Sequence, residues 1–217
     1  MQKIGVTGTI GSGKSTVGKL LQESGYPVLD ADKAVHQLYE TSSLLKQKLV
    51  DTFGESILES NAISRKNLAS IVFQNQTALK QLENIVYPYL KQVIIDFFKT
   101  CEQNKQEFAF LEAALLHKIP EILESLDKIW LISAQENVLL ERLVKRGLSF
   151  DDAKNRLNLK KKNPSLESSE FLTLRKKKSS WIEVIENDKT LDDLKEKIST
   201  LFKINFLLQF PDTNKNL

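Results

Sequence analysis

The chain holds one cysteine, Cys101, among 217 residues. An intramolecular disulfide and a cysteine-built zinc site are therefore excluded, and Cys101 reads as a bystander on a helix. Its two histidines, His36 and His117, stand alone and lack metal-ligand spacing. No apolar stretch approaches the ~20 residues of a membrane span. No apolar region followed by a cleavage site marks a secretory leader. A cytoplasmic protein with no membrane partner is expected. Charge of one sign is scarce too. A formal net charge of +3 is too small to point to nucleic acid, and the basic runs at 160–162 and 175–178 read as solvated faces. There is no repeat at a fixed period and no low-complexity linker. The 41% hydrophobic content suffices for a proper core, and the length suits one α/β domain with an inserted lobe.

What the chain does have begins at Gly8. Gly8-Thr9-Ile10-Gly11-Ser12-Gly13-Lys14-Ser15 is G-x-x-x-x-G-K-S, the phosphate-binding loop of nucleotide triphosphate enzymes. The apolar run at 3–7 reads as a buried strand before it. From Thr16, apolar residues at helical spacing follow it. The glycines allow a tight turn that aims backbone N–H groups at phosphate oxygens. The helix N-terminus adds partial positive charge. Lys14 is placed to reach the β- and γ-phosphates, and the Ser15 hydroxyl to ligate magnesium.

Further strands are expected at 26–30, 108–112, 128–133 and 181–186, alternating with helices. That pattern predicts a parallel sheet covered on both faces. From Asp32 to about residue 106 the sequence reads almost wholly helical, too large for a plain crossover. It predicts an inserted lobe for a second substrate, its last helix kinked or restarted at Pro88. Asp30 and Asp32 end the second strand, at the sheet edge that faces the ligand crevice. Asp32 reads either as a group that takes a proton or holds magnesium through water, or as a helix cap. Glu112, ending the third strand, reads either as an outer contact of that ion or as a solvated strand end. Arg142 and Arg146 share a helix face at i, i+4. With Arg156 they are suited to screening a phosphoryl group in transfer. Ser149 and Asp152 form a cap for the helix after Gly147. Asp51-Thr52-Phe53-Gly54 matches the D-x-x-G of GTP switches but lies in a helical pattern, with no guanine motif after it.

These residues resemble the dephospho-coenzyme A kinase family over nearly the whole chain. The stretch from Ile4 to Val17 is close to the family's form, and Asp30-Ala31-Asp32 matches its Asp-Ala-Asp. Phe53-Gly54 and Ile63-Ser64-Arg65 match its next block. Ala114-Leu115-Leu116 stands where the family has Pro-Leu-Leu. Glu141-Arg142-Leu143 with Arg146 and Arg156 resembles its lid, and Asn187 its asparagine after the last strand. The resemblance implies an α/β, three-layer P-loop fold with a central parallel sheet. The core would comprise about 1–31, 107–146 and 179–204, the helical acceptor lobe about 32–106 and the helical lid about 147–178. It implies ATP and Mg2+, with the γ-phosphate passing to the ribose 3′-hydroxyl of dephospho-CoA. Lys14, Asp32, Arg142 and Arg146 would be catalytic. Gly8, Ile10, Gly11, Ser12, Gly13, Lys14, Ser15, Thr16 and Asn187 would bind the nucleotide, with Ser15 on the metal. Asp30, Asp32, Arg65 and Tyr87 would bind the acceptor. A monomer or weak homo-oligomer is expected. The chain departs from the family at Tyr87 (histidine there), Ala114 (proline), Lys118 (glutamate) and Lys160 (glutamine). Another small-molecule or nucleotide kinase, or a nucleotide-binding regulator without turnover, stays open.

Overall fold

A computed structural model describes residues 1–73, 75–114, 116–162 and 182–209. Five strands form one sheet in the order β2-β5-β1-β6-β7, with helices between the strands in the chain. The strands are β1 (Gln2–Gly8), β2 (Val28–Asp30), β5 (Phe108–Glu112), β6 (Lys128–Ser133) and β7 (Ile182–Glu186). The β2–β5 and β6–β7 pairs are parallel, as βαβ connections require. Every residue of β5 is buried, because it lies inside the sheet with β2 and β1 as neighbours.

The second strand is shorter than its apolar run. Pro27 has no N–H to give the ladder, so only its carbonyl takes part, accepting from Phe110 N at 2.9 Å. Tyr26 stands edge-on to Phe108 and Phe110.

By internal packing the chain divides into two compact units, residues 1–5 with 26–127, and residues 6–25 with 128–217. The first contains the helices α2 (Ala31–Thr41), α3 (Ser43–Phe53), α4 (Arg65–Val72), α5 (Gln76–Gln103) and α6 (Pro120–Ser125). Leu45, Leu49, Ile57, Leu68, Val72, Ala78 and Val86 form a core of their own there. Two elements add to what the sequence predicts. Helix α5 runs unbroken through Pro88. The carbonyl that loses its partner belongs to Asn84, which is exposed, while buried Val86 and Leu90 hold the helix on either side. A short hairpin, β3 (Leu58–Glu59) and β4 (Ala62–Ile63), interrupts the helices. Ser60 and Asn61 both have positive φ, 49° and 63°, the combination that turns two strands in two residues. Cys101 is buried on α5, and burial pushes its thiol pKa up, which keeps it inert.

The second unit holds α1 (Lys14–Glu23), α7 (Glu136–Lys145), α8 (Phe150–Lys162) and α9 (Leu191–Gln209). Gly25, at φ 86°, ends the turn after α1. Ser149 caps α8 as expected. Its hydroxyl accepts from Asp152 N at 3.1 Å and donates to the Asp152 carboxylate at 2.7 Å. Leu139 and Leu143 of α7 pack with Ala153 and Leu157 of α8. The start of the expected lid thus has apolar anchors. Residues 163–178 of that segment, Leu115, Trp181 and the tail beyond 209 lie outside the described residues.

Candidate active site

The phosphate loop is built between β1 and α1. Gly8 turns the chain at φ 154°, and a Cβ there would come within 2.2 Å of Ile132 O. No other residue fits. Gly13 is the N-cap of α1 in the left-handed region, without a capping side chain, and no acidic residue follows in the first turn. The helix therefore offers its positive end uncompensated, which suits an anion.

The loop carbonyls are drawn away by side chains. Lys14 Nζ donates to Gly8 O at 3.0 Å and to Thr9 O at 3.4 Å. Arg142 Nη1 reaches Gly11 O and Ser12 O at 3.4 and 3.5 Å. Asn187 Nδ2 donates to Ser12 O at 2.8 Å in a buried contact. Ser12 N closes a turn onto Thr9 O at 3.1 Å. Ser12 is fully buried, and its Oγ has no hydrogen-bond partner among the described residues. Ile10 packs its side chain against the α7–α8 cluster, so it anchors the loop. Ser15 is exposed in the first turn of α1.

Beside the loop is a cavity of about 340 Å³ whose lining includes Gly11, Gly13, Thr16, Arg142, Arg146 and Asn187. Arg142 and Arg146 share a face as their spacing predicts. Arg156 is exposed on α8. Among the described residues no group of three or more His, Cys, Asp or Glu is placed to hold a metal.

The first unit carries the acceptor-side candidates. Asp30, not Asp32, is the N-cap of α2. Its backbone is extended, and its Oδ1 accepts from Lys33 N at 3.0 Å. Its Oδ2 pairs with Lys33 Nζ at 3.2 Å. A cap must precede the helix and reach its third N–H. The helix starts at Ala31 with no intervening loop, so Asp32 falls in the first turn and is exposed. Asp30 is in register with Glu112. Glu112 is only 8% exposed, so it is not a solvated strand end.

Arg65 opens α4. Its Nη1 lies 3.0 Å from Nδ1 and 2.8 Å from Nε2 of His36 on α2. A guanidinium only donates, so it is accepted by whichever ring nitrogen carries no proton. On α5, Tyr87 is partly buried. Burial, then the charge of Glu83 and a hydrogen bond to it, and more weakly Tyr39 and Asp32, push its phenol pKa well up. Glu83 also pairs with Lys118 at 3.1 Å. Asp32 is thus close enough to influence Tyr87, and His36, the partner of Arg65, stands i+4 from Asp32 on α2. Sequence reading weighed His36 only as a metal ligand and passed over Glu83. Helical spacing held the signal, since Glu83 stands i−4 from Tyr87 on α5. The side chain of Lys160 lies outside what is described.

The profile of the dephospho-CoA kinase family matches residues 2–192. A dephospho-CoA kinase of Aquifex aeolicus is 33% identical over 204 residues, covering 94% of this chain and 97% of its own. One of Fusobacterium nucleatum is 36% identical over 201 residues, covering 90% and 94%. Among solved structures, a Thermus thermophilus protein superposes with a TM-score of 0.67 at 29% identity, covering 93% of this chain and 96% of its own. A dephospho-CoA kinase from Campylobacter jejuni superposes at 0.61 with 25% identity, covering 94% and 96%. The chain belongs to the dephospho-CoA kinase family.

Proposed function

We propose that this kinase moves the γ-phosphate of ATP to the ribose 3′-hydroxyl of dephospho-CoA, the last step of coenzyme A synthesis. The observation that carries the reading is the phosphate loop. Its Gly8 and Ser12 carbonyls are tied to side-chain donors, those of Thr9 and Gly11 lie in longer contacts with Lys14 and Arg142, and α1 opens behind the loop with no acidic residue. Phosphoryl transfer needs positioning and charge stabilisation more than covalent help. Lys14, Arg142 and Arg146 supply the charge. Gly8, Ile10, Gly11, Ser12, Gly13, Ser15 and Thr16 form the donor site.

Asp32 takes the proton of the attacking hydroxyl or orients it. Being exposed and not the cap, its carboxylate is not committed to α2 as that of Asp30 is. Tyr87, kept protonated, and Arg65 line the acceptor side of the helical lobe, and Asp30 shapes its floor. Magnesium fits this donor set. The Ser15 hydroxyl, exposed in the first turn of α1, would hold the ion. When bound, it neutralises charge on the β- and γ-phosphates.

The test is one coupled assay of ADP release. Dephospho-CoA should stimulate turnover far above adenosine, nucleoside monophosphates and shikimate. Stimulation by another of these would make the chain a different small-molecule kinase. ATP binding without turnover on any would make it a regulator.

A further inference from the structure

Asn187 follows β7, where the family resemblance puts a nucleotide contact. The structure assigns it another task. We propose that Asn187 is a positioning residue that sets the form of the phosphate loop and does not itself read the nucleotide. The inference rests on the loop being the ATP site.

Three observations carry it. Asn187 is 7% exposed, and its side-chain amide gives its hydrogen bond to Ser12 O at 2.8 Å. The residue is fixed from behind. Its own N–H bonds Ser133 O at 2.8 Å, and its neighbour Asp188 accepts from Gln135 N at 2.6 Å. Finally, a Cβ on Gly13 would lie 2.3 Å from Asn187 Nδ2. The amide occupies the space that any other residue at 13 would fill.

The consequence follows from peptide geometry. In a planar trans peptide the C=O of Ser12 and the N–H of Gly13 point in opposite directions, and the described residues contain no cis bond. By holding the Ser12 carbonyl, Asn187 turns the Gly13 N–H away from itself, towards the hollow where phosphate oxygens belong. Arg142 reaches the same carbonyl at 3.5 Å, too long to fix it alone. Asn187 thereby acts on the phosphates through one peptide group, and its effect should be blind to the base.

Asn187→Asp keeps the shape and sets an acceptor against an acceptor. Asn187→Ala removes the clasp. Binding of ATP, GTP and inorganic tripolyphosphate, each with magnesium, should weaken by one common factor of about 3–10 in the alanine variant, the loss of one net hydrogen bond. The aspartate variant should lose more. The ATP-to-GTP ratio and the acceptor KM should stay constant. Loss of ATP affinity with tripolyphosphate affinity intact would overturn the inference and make Asn187 a base contact. Unchanged affinity for all three would show that the loop needs no clasp. Unsubstituted protein that binds none of the three would instead remove the donor-site reading beneath it. A measurement on the unsubstituted protein stands if neither variant folds. Nuclear Overhauser contacts should link the Asn187 amide protons to Ser12 and Gly13, and any to the adenine of bound ATP would overturn the proposal.

Discussion

Lys14 and Asp32 are the side chains whose removal separates charge from structure most cleanly. Lys14 Nζ bonds the loop carbonyls of Gly8 and Thr9, and it packs in neither of the apolar clusters described above. Lys14→Ala should abolish ATP turnover while the thermal midpoint moves by no more than about 4 °C, roughly the effect of 1 kcal/mol in a chain of this size. Unaltered steady-state turnover would remove the phosphate-loop argument. Asp32→Asn keeps shape and removes a base. A ribose hydroxyl is a poor nucleophile at neutral pH, so kcat should fall by roughly 10²–10⁴-fold with ATP affinity nearly constant. Loss of ATP affinity with kcat intact would make Asp32 a donor-side magnesium residue. Motif spacing singled out Lys14, and the end of the second strand singled out Asp32. The partners that orient the site were not legible, because His36 meets Arg65 across 29 positions and Asn187 meets Ser12 across 175, separations at which local pattern carries no signal.

Helix α2 shows how one residue step changes a role. Sequence pattern allowed Asp32 as the cap, but the extended backbone persists only to Asp30. Asp30→Ala should therefore cost about 1 kcal/mol of stability, a drop of about 2–4 °C. Asp30→Asn should restore it, because asparagine caps as well as aspartate, and the surface pair with Lys33 is worth little. Equal loss in both variants would give the Lys33 pair the larger part.

Helices α2 and α5 also carry a pH signature. Burial pushes the Tyr39 phenol up to about 12, and Tyr87 is raised as well by burial and Glu83. The folded state favours the neutral phenols, while the unfolded chain releases their protons near the ordinary value of about 10. Their stabilising contribution is therefore complete below about pH 10 and is lost as pH rises through the folded values. Tyr87→Phe should make the alkaline decline in the urea midpoint shallower. Tyrosinate absorbance checks it directly: if all four tyrosines titrate together near 10 in the folded protein, the burial argument fails.

At the scale of the molecule, the sequence revealed most of the sheet because buried strands are short apolar runs. The expected strands at 108–112 and 128–133 coincide with β5 and β6. The hairpin at Leu58 to Ile63 escaped notice because its strands are two residues each and its turn uses Ser60 and Asn61 instead of glycine. The start of the expected lid is not without packing, since Ala153 and Leu157 are buried against α7. That small contact decides the last prediction. The helical lobe of the first unit has a far larger core, so α8 should open at lower free energy than α3 or α5. Its exposed face carries Asp151, Asp152, Lys154 and Arg156, which bury nothing until a charged ligand meets them. A kinase must keep water from the transferring phosphoryl group. Amide exchange in α8 should therefore slow when ATP and acceptor bind together, and slow less with either alone, while α3 and α5 change little. Equal protection of α8 with and without ligands would show that the α7 contact already fixes it, and the closing role would then pass to another element.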